Sequence, residues 1–158
     1  MIVAYTGLPG TCKTYSMTRD ALACIKRKRR VYANYPLLGA YLYRDLNDLV
    51  GIRDGVILCD ELNMLAPANE HWSLPASYLK LWSQSRKQGI DFWWSSQSFH
   101  AVNKNVRLIT NWVWQFDKFI HPIYRGFKYE SIDVERDRAR RQAYATKWIL
   151  LQKNIFNK

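Results

Sequence analysis

A short apolar segment, MIVAYTG from Met1 to Gly7, runs directly into the loop GLPGTCKT, Gly7 to Thr14, and from there into helical periodicity. Strand, glycine loop and helix in that order constrain the fold more than any other stretch. The loop fits the phosphate-binding pattern G-x-x-x-x-G-K-[ST] at every defined position except Cys12. On that reading Gly7, Leu8, Pro9, Gly10, Thr11, Cys12, Lys13, Thr14 and Tyr15 surround an anion with backbone N–H groups at a helix N-terminus. Lys13 then reaches the outer phosphate oxygens and the Thr14 hydroxyl binds Mg²⁺, so ATP and Mg²⁺ are the expected ligands. A small side chain at position 12 serves if its φ stays negative. A thiol there, beside Lys13 at a helix N-terminus, is expected to have a lowered pKa and to be open to alkylation.

The helical stretch from Lys13 to Arg29 carries Met17, Ala21, Cys24 and Ile25 at spacings of three and four, and closes in KRKRR, Lys26 to Arg30. A second strand, VYANY from Val31 to Tyr35, stops at Pro36, and a short helix is expected around Asn47 to Val50. VILCDE, Val56 to Glu61, is an unbroken apolar run ending in two acids, the pattern of a central parallel strand with its acids at the carboxyl edge. Pro67 to Pro75 reads as a loop, Pro75 to Gln88 as a helix stopped by Gly89, and IDFWWSSQ, Ile90 to Gln97, as a fourth strand. A helical turn or two at Val102 to Thr110 and a fifth strand, Val113 to Ile120, complete the core.

Strands alternating with helices of this length predict an α/β fold with a mostly parallel sheet flanked by helices. One domain is expected, with a core over residues 1–123. Residues 124–158 supply a strand or half-hairpin from Tyr124 to Val134 and a basic, helical extension from Glu135 to Lys158.

Asp60 supplies a carboxylate that can hold Mg²⁺, and Glu61 beside it can act as general base on water. Taken alone, such a pair also suits a helix cap. Gln97, in WWSSQ, can sense a γ-phosphate or align the water, or be a solvated strand end. Arg86, before Gly89, either complements a helix dipole or reaches a neighbouring subunit's γ-phosphate as an arginine finger, with Arg107 the weaker candidate for that task.

The chain has 158 residues, is 48% hydrophobic, and carries a formal charge of +11, which puts nucleic acid first among partners and an anionic membrane surface second. KRKRR and Arg136 to Arg141 are candidate phosphate contacts, and Trp148 a candidate for base stacking. The three cysteines, Cys12, Cys24 and Cys59, are too widely spaced for a zinc motif or a redox pair. His71, His100 and His121 form no metal-like grouping, and Trp93, Trp94, Trp112 and Trp114 are explained by core packing. No apolar run is long enough to span a bilayer, so a soluble, intracellular protein is expected.

GLPGTCKT, ANYPL after the second strand, VILCDE, and above all SRKQGIDFWWSSQSFHAVNKNVR resemble the zonula occludens toxin (Zot) family, which includes assembly ATPases of filamentous phages. The pattern is also similar to the wider FtsK and HerA superfamily, and the resemblance spans Met1 to Thr110. It implies an additional-strand, RecA-like P-loop ATPase core working as a ring, usually a hexamer. Such a ring couples ATP hydrolysis to DNA movement in virion assembly, export or genome packaging in the host cytoplasm, with capsid or membrane-embedded assembly proteins as further partners. Carried over by position, Lys13 and Thr14 bind phosphate and Mg²⁺, Asp60 the Mg²⁺, Glu61 the water and Gln97 the γ-phosphate, while Arg86 acts in trans. The membrane-spanning segment of the filamentous-phage members is not found, which moves weight toward packaging ATPases of small viruses. Two other readings remain open: a small-molecule kinase on the same loop, and a nucleotide-gated scaffold without hydrolysis.

Overall fold

The computed structural model describes residues 1–69, 75–120, 123–136 and 143–150. Its framework is one sheet of eight strands in the order β3-β2-β4-β5-β1-β6-β7-β8. β1 is Ile2–Thr6, β2 Val31–Ala33, β3 Tyr41–Leu42, β4 Gly55–Cys59, β5 Ile90–Ser96, β6 Trp112–Ile120, β7 Ile123–Glu130 and β8 Ala145–Leu150. The strands from β3 to β6 pair in parallel, while β6–β7 and β7–β8 are antiparallel. β5 lies between β1 and β4, so the WWSS segment separates the strand that feeds the glycine loop from the strand that ends before Asp60. The apolar runs of β1, β4 and β5 show no alternation because both faces of the sheet are covered.

One face packs on α1, Lys13–Lys26, through Met17 and Ala21 against Val3, Tyr5, Val56, Leu58 and Trp93. The other face, with Ala4, Ile57, Phe92 and Trp94, is covered by α2 (Leu62–Leu65), α3 (Ala76–Gln84), α4 (Lys104–Ile109) and α5 (Ser131–Glu135). Trp93 and Trp94 are buried on opposite faces, as core packing requires.

α1 stops at Lys26, short of the expected Arg29. Lys28 adopts φ 59°, and the Lys28 and Arg29 N–H groups donate back to the carbonyls of Ile25 and Cys24, which closes the helix. β2 ends at Ala33, two residues early, because Asn34 turns its side chain toward the next strand instead of extending the ladder. The expected helix near residue 47 is a single 3-10 turn, Leu46–Leu49, with a reciprocal cap between Asp45 and Asp48.

The tail differs most from expectation. β7 falls where a strand or half-hairpin was expected and pairs antiparallel with β6, but residues 145–150 form a strand where a basic helix was expected. Pairing with β7 satisfies the backbone of this segment while Ile149 is fully buried in the α1-side core. Lys147 is drawn to Asp20 of α1 at 2.6 Å, which ties the outer strand to the helix that follows the glycine loop. Most of the basic stretch Arg136 to Arg141, and residues 151–158, lie outside the described residues.

Candidate nucleotide site at the carboxyl edge of the sheet

β1 delivers Gly7 at the carboxyl edge of the sheet, where its φ is 145° and a Cβ would strike the Phe116 carbonyl oxygen and the Thr11 hydroxyl. Only glycine fits that first position. The loop then folds on itself: the Thr11 N–H and hydroxyl both donate to the Leu8 carbonyl, at 3.3 and 2.8 Å. Lys13 is buried, and its ammonium donates to the same carbonyl at 3.1 Å. A buried cation held by one neutral acceptor, beside the N-terminal amides of α1, is a strong anion receptor.

Cys12 caps α1 with φ 67° and ψ 28°, the left-handed region. The expectation of a negative φ is therefore corrected: the turn into the helix needs the conformation glycine adopts freely, and cysteine carries a cost of roughly 1–2 kcal/mol there. The expected lowered thiol pKa is corrected as well. Burial pushes the Cys12 thiol up, and its contacts with the Tyr124 hydroxyl and Lys13 ammonium offset this only in part.

Across from the loop, the Thr14 hydroxyl donates to Asp60 Oδ1 at 2.8 Å. Asp60 is fixed from two further sides. Asn34 accepts from its N–H at 2.8 Å and donates to its carbonyl at 3.0 Å. The Ser95 hydroxyl, fully buried on β5, donates to Asp60 Oδ1 and accepts the Glu61 N–H at 3.0 Å. Glu61 itself has φ 53°, so two of the non-glycine residues with positive φ, Cys12 and Glu61, stand at this one site. Strain of that kind persists where surrounding contacts over-determine it.

Pro9, Gly10, Cys12, Lys13, Thr14, Tyr15, Glu61 and Tyr124 line one cleft of about 500 Å³. Gln97 is not among them: it lines a separate cavity of about 270 Å³ with Gly7, Leu8, Gln115 and Asp117. Arg86 is elsewhere: it lines a cavity of about 440 Å³ with Met1, Ile2 and Asn111 at the amino edge, the length of β1 away, roughly 15 Å. It cannot meet Lys13 of its own chain. Arg107 pairs with Glu135 at 3.3 Å and contacts His100, which holds it within its own chain. His71 and His121 lie outside the described residues.

Asn34, Ser95 and Tyr124 were not singled out as site residues from the sequence. Asn34 lies in the ANYPL stretch and Ser95 in WWSSQ, so a polar residue ending an apolar strand was the available signal. The donor set fits Mg²⁺: one hydroxyl and one carboxylate, both hard oxygen ligands, with room for phosphate oxygens and water. Among the described residues no group of three or more His, Cys, Asp or Glu could hold a metal ion, and no helix is long and apolar enough to cross a membrane.

A glycine loop between β1 and α1, Asp60 after β4, and β5 inserted between those two strands define the P-loop NTPase fold of the additional-strand kind. No protein-family model and no curated protein sequence matches the chain. Solved structures do. The N-terminal domain of zonular occludens toxin from Neisseria meningitidis has a TM-score of 0.65 at 15% identity, over 98% of this chain and 96% of that one. The genome packaging NTPase B204 from Sulfolobus turreted icosahedral virus 2, in complex with ATP-gammaS, has 0.64 at 11% identity, over 93% and 95%. The flagellar accessory protein FlaH from Methanocaldococcus jannaschii has 0.57 at 12%, over 82% and 76%. What these likenesses share with the chain is the fold, that of a P-loop NTPase.

Proposed function

We propose that this chain is a phage or viral ATPase that hydrolyses ATP to move DNA during genome packaging or virion assembly, as one subunit of a ring. The observation that carries the reading is the Thr14–Asp60 hydrogen bond, which places the loop helix and the acid-bearing strand on the same cleft that Glu61 lines. Likeness in fold to a protein described as a genome packaging NTPase supports the choice of process.

In this mechanism the buried Lys13 ammonium and the N-terminal amides of α1 bind the β- and γ-phosphate oxygens. Thr14 and Asp60 would hold Mg²⁺, which when bound would neutralise phosphate charge. Glu61 takes a proton from the attacking water as its oxygen bonds to the γ-phosphorus and the bond to the β–γ bridging oxygen breaks, releasing ADP and phosphate. Gln97 aligns that water from beside Gly7. Arg86, exposed at the opposite edge, reaches the γ-phosphate of a neighbouring subunit and stabilises developing charge. Its distance from its own chain's cleft is what a residue acting in trans requires.

ATPase rate and molecular mass measured together, with and without ATP and DNA, test the proposal. A ring whose turnover rises with DNA supports it; a strict monomer whose slow turnover ignores DNA at every salt concentration removes the motor reading.

A further inference from the structure

The sheet seats one hydroxyl directly behind the two acids of the nucleotide cleft. Side chains alternate along β5, so Ser95 lies on the face of Trp93, which α1 covers, and Ser96 on the face of Trp94. Cys59 is in register with Trp94, which places Ser95 beside Asp60, the first residue past β4. Ser95 is fully buried and lies outside the lining of the cleft, so it has no surface to offer a nucleotide there.

Chemistry fixes the direction of its hydrogen bonds. The Glu61 N–H can only donate, so the Ser95 oxygen accepts from it at 3.0 Å, and the one Ser95 proton goes to Asp60 Oδ1. A carboxylate acceptor strengthens that second bond and, by polarising the hydroxyl, the first. Asp60 Oδ1 thus receives both the Thr14 and the Ser95 hydroxyls. Oδ2 accepts no hydrogen bond among the described residues, which leaves it as the oxygen open to a cation. The peptide between Asp60 and Glu61 is also held at both ends: Asn34 donates to its carbonyl at 3.0 Å, and Ser95 takes its N–H. Glu61 stands in the left-handed region at φ 53° and ψ 51°, a conformation that a residue with a Cβ leaves readily unless held.

We propose that Ser95 is a positioning residue for ATP hydrolysis, fixing through one hydroxyl both the carboxylate that would hold Mg²⁺ and the main chain that aims Glu61. The proposal rests on the ATPase reading, and adds to it a residue that reaches the reaction only through Asp60 and Glu61. Without the hydroxyl, Asp60 is free to turn and the Glu61 N–H loses its acceptor. Ser96 supplies an internal contrast. It is equally buried, but its hydroxyl has no hydrogen-bond partner among the described residues. Removing the Ser96 oxygen alters the same strand without releasing either acid.

The test compares the unmodified protein with Ser95→Ala and Ser96→Ala, each checked for folding by thermal melting. Ser95→Ala is expected to lower turnover at saturating Mg²⁺ about 10–100-fold. It is also expected to raise, by a factor in the same range of about 10–100, the Mg²⁺ concentration at which ATPγS lifts the melting temperature. Ser96→Ala is expected to leave both readings unchanged. In a Glu61→Gln background, Ser95→Ala is expected to cost less than about threefold in turnover, because a residue that acts through Glu61 has little left to position. If Ser95→Ala does not fold, Ser95→Cys fills the same space with a weak donor, and a smaller loss is expected in both readings. Turnover and Mg²⁺ requirement both at the unmodified level in the folded Ser95 variant overturn the proposal. So does an equal loss in Ser96→Ala, or the full loss repeated in the Glu61→Gln background. Absence of hydrolysis in the unmodified protein would instead remove the ATPase reading, while melting would still report the Mg²⁺ requirement of the Ser95 variants.

Discussion

Thr14 and Asp60, 46 positions apart, meet through a hydrogen bond of 2.8 Å that joins the first turn of α1 to the end of β4. The bond forms because β5 spaces the two strands and because Asn34 and Ser95 leave Asp60 little freedom to turn away. Substituting Asn34 by Ala removes both hydrogen bonds to the Asp60 backbone. A loss of about 1–3 kcal/mol in unfolding free energy, read by urea denaturation, is expected from two such bonds. An unchanged midpoint would mean that water replaces Asn34 at no cost.

Cys12 stands in the left-handed region at φ 67°. Replacing it by Gly relieves that strain, while glycine's greater freedom in the unfolded chain returns part of the gain. A net stabilisation of about 0.5–1 kcal/mol is expected, seen as a melting temperature a few degrees higher. A lower melting temperature would show that the thiol's contact with Tyr124 outweighs the backbone strain.

Burial works to raise the Asp91 carboxyl, but hydrogen bonds and charge from the Met1 amine and Arg29 outweigh it and hold the group below its ordinary value of 3.8. With a depressed pKa in the folded state, the stabilisation is complete above that ordinary value and is lost as pH falls through the lower, folded one. Asp91→Asn is therefore expected to be less stable than the unmodified protein by about 1.5–3 kcal/mol at neutral pH. The gap should narrow below about pH 4. Denaturation curves across that range check it, and a gap that stays constant into strong acid would contradict the assignment.

Ile149 tests whether β8 belongs to the fold. It is fully buried against the α1-side core, so Ile149→Ala is expected to cost about 2–5 kcal/mol. A cost near zero in a urea titration would mean that the segment does not dock as a strand.

How much of this was legible depends on where each residue's role resides. The loop, Asp60 and Glu61 could be read because they end apolar runs, and an apolar run with a polar terminus marks the carboxyl edge of a buried strand. Asn34, Ser95 and Tyr124 act across strands, so their roles depend on strand order, which periodicity does not carry. The φ of Cys12 was hidden because the sequence records a small residue and not the turn it must make. The tail misled because its charge masked the short run Ala145–Leu150, where Ile149 and Lys147 face α1 and Trp148 between them is exposed.

The proposed role of Glu61 as the base in ATP hydrolysis is reached most directly by measuring turnover and nucleotide binding together in the unmodified protein and in Glu61→Gln, with Mg²⁺ present. The unmodified protein should hydrolyse ATP, and the variant should bind nucleotide with similar affinity while turning over about 10²–10⁴-fold more slowly. Hydrolysis by Glu61→Gln at the unmodified rate, or none by the unmodified protein under any Mg²⁺ or DNA condition, would contradict it.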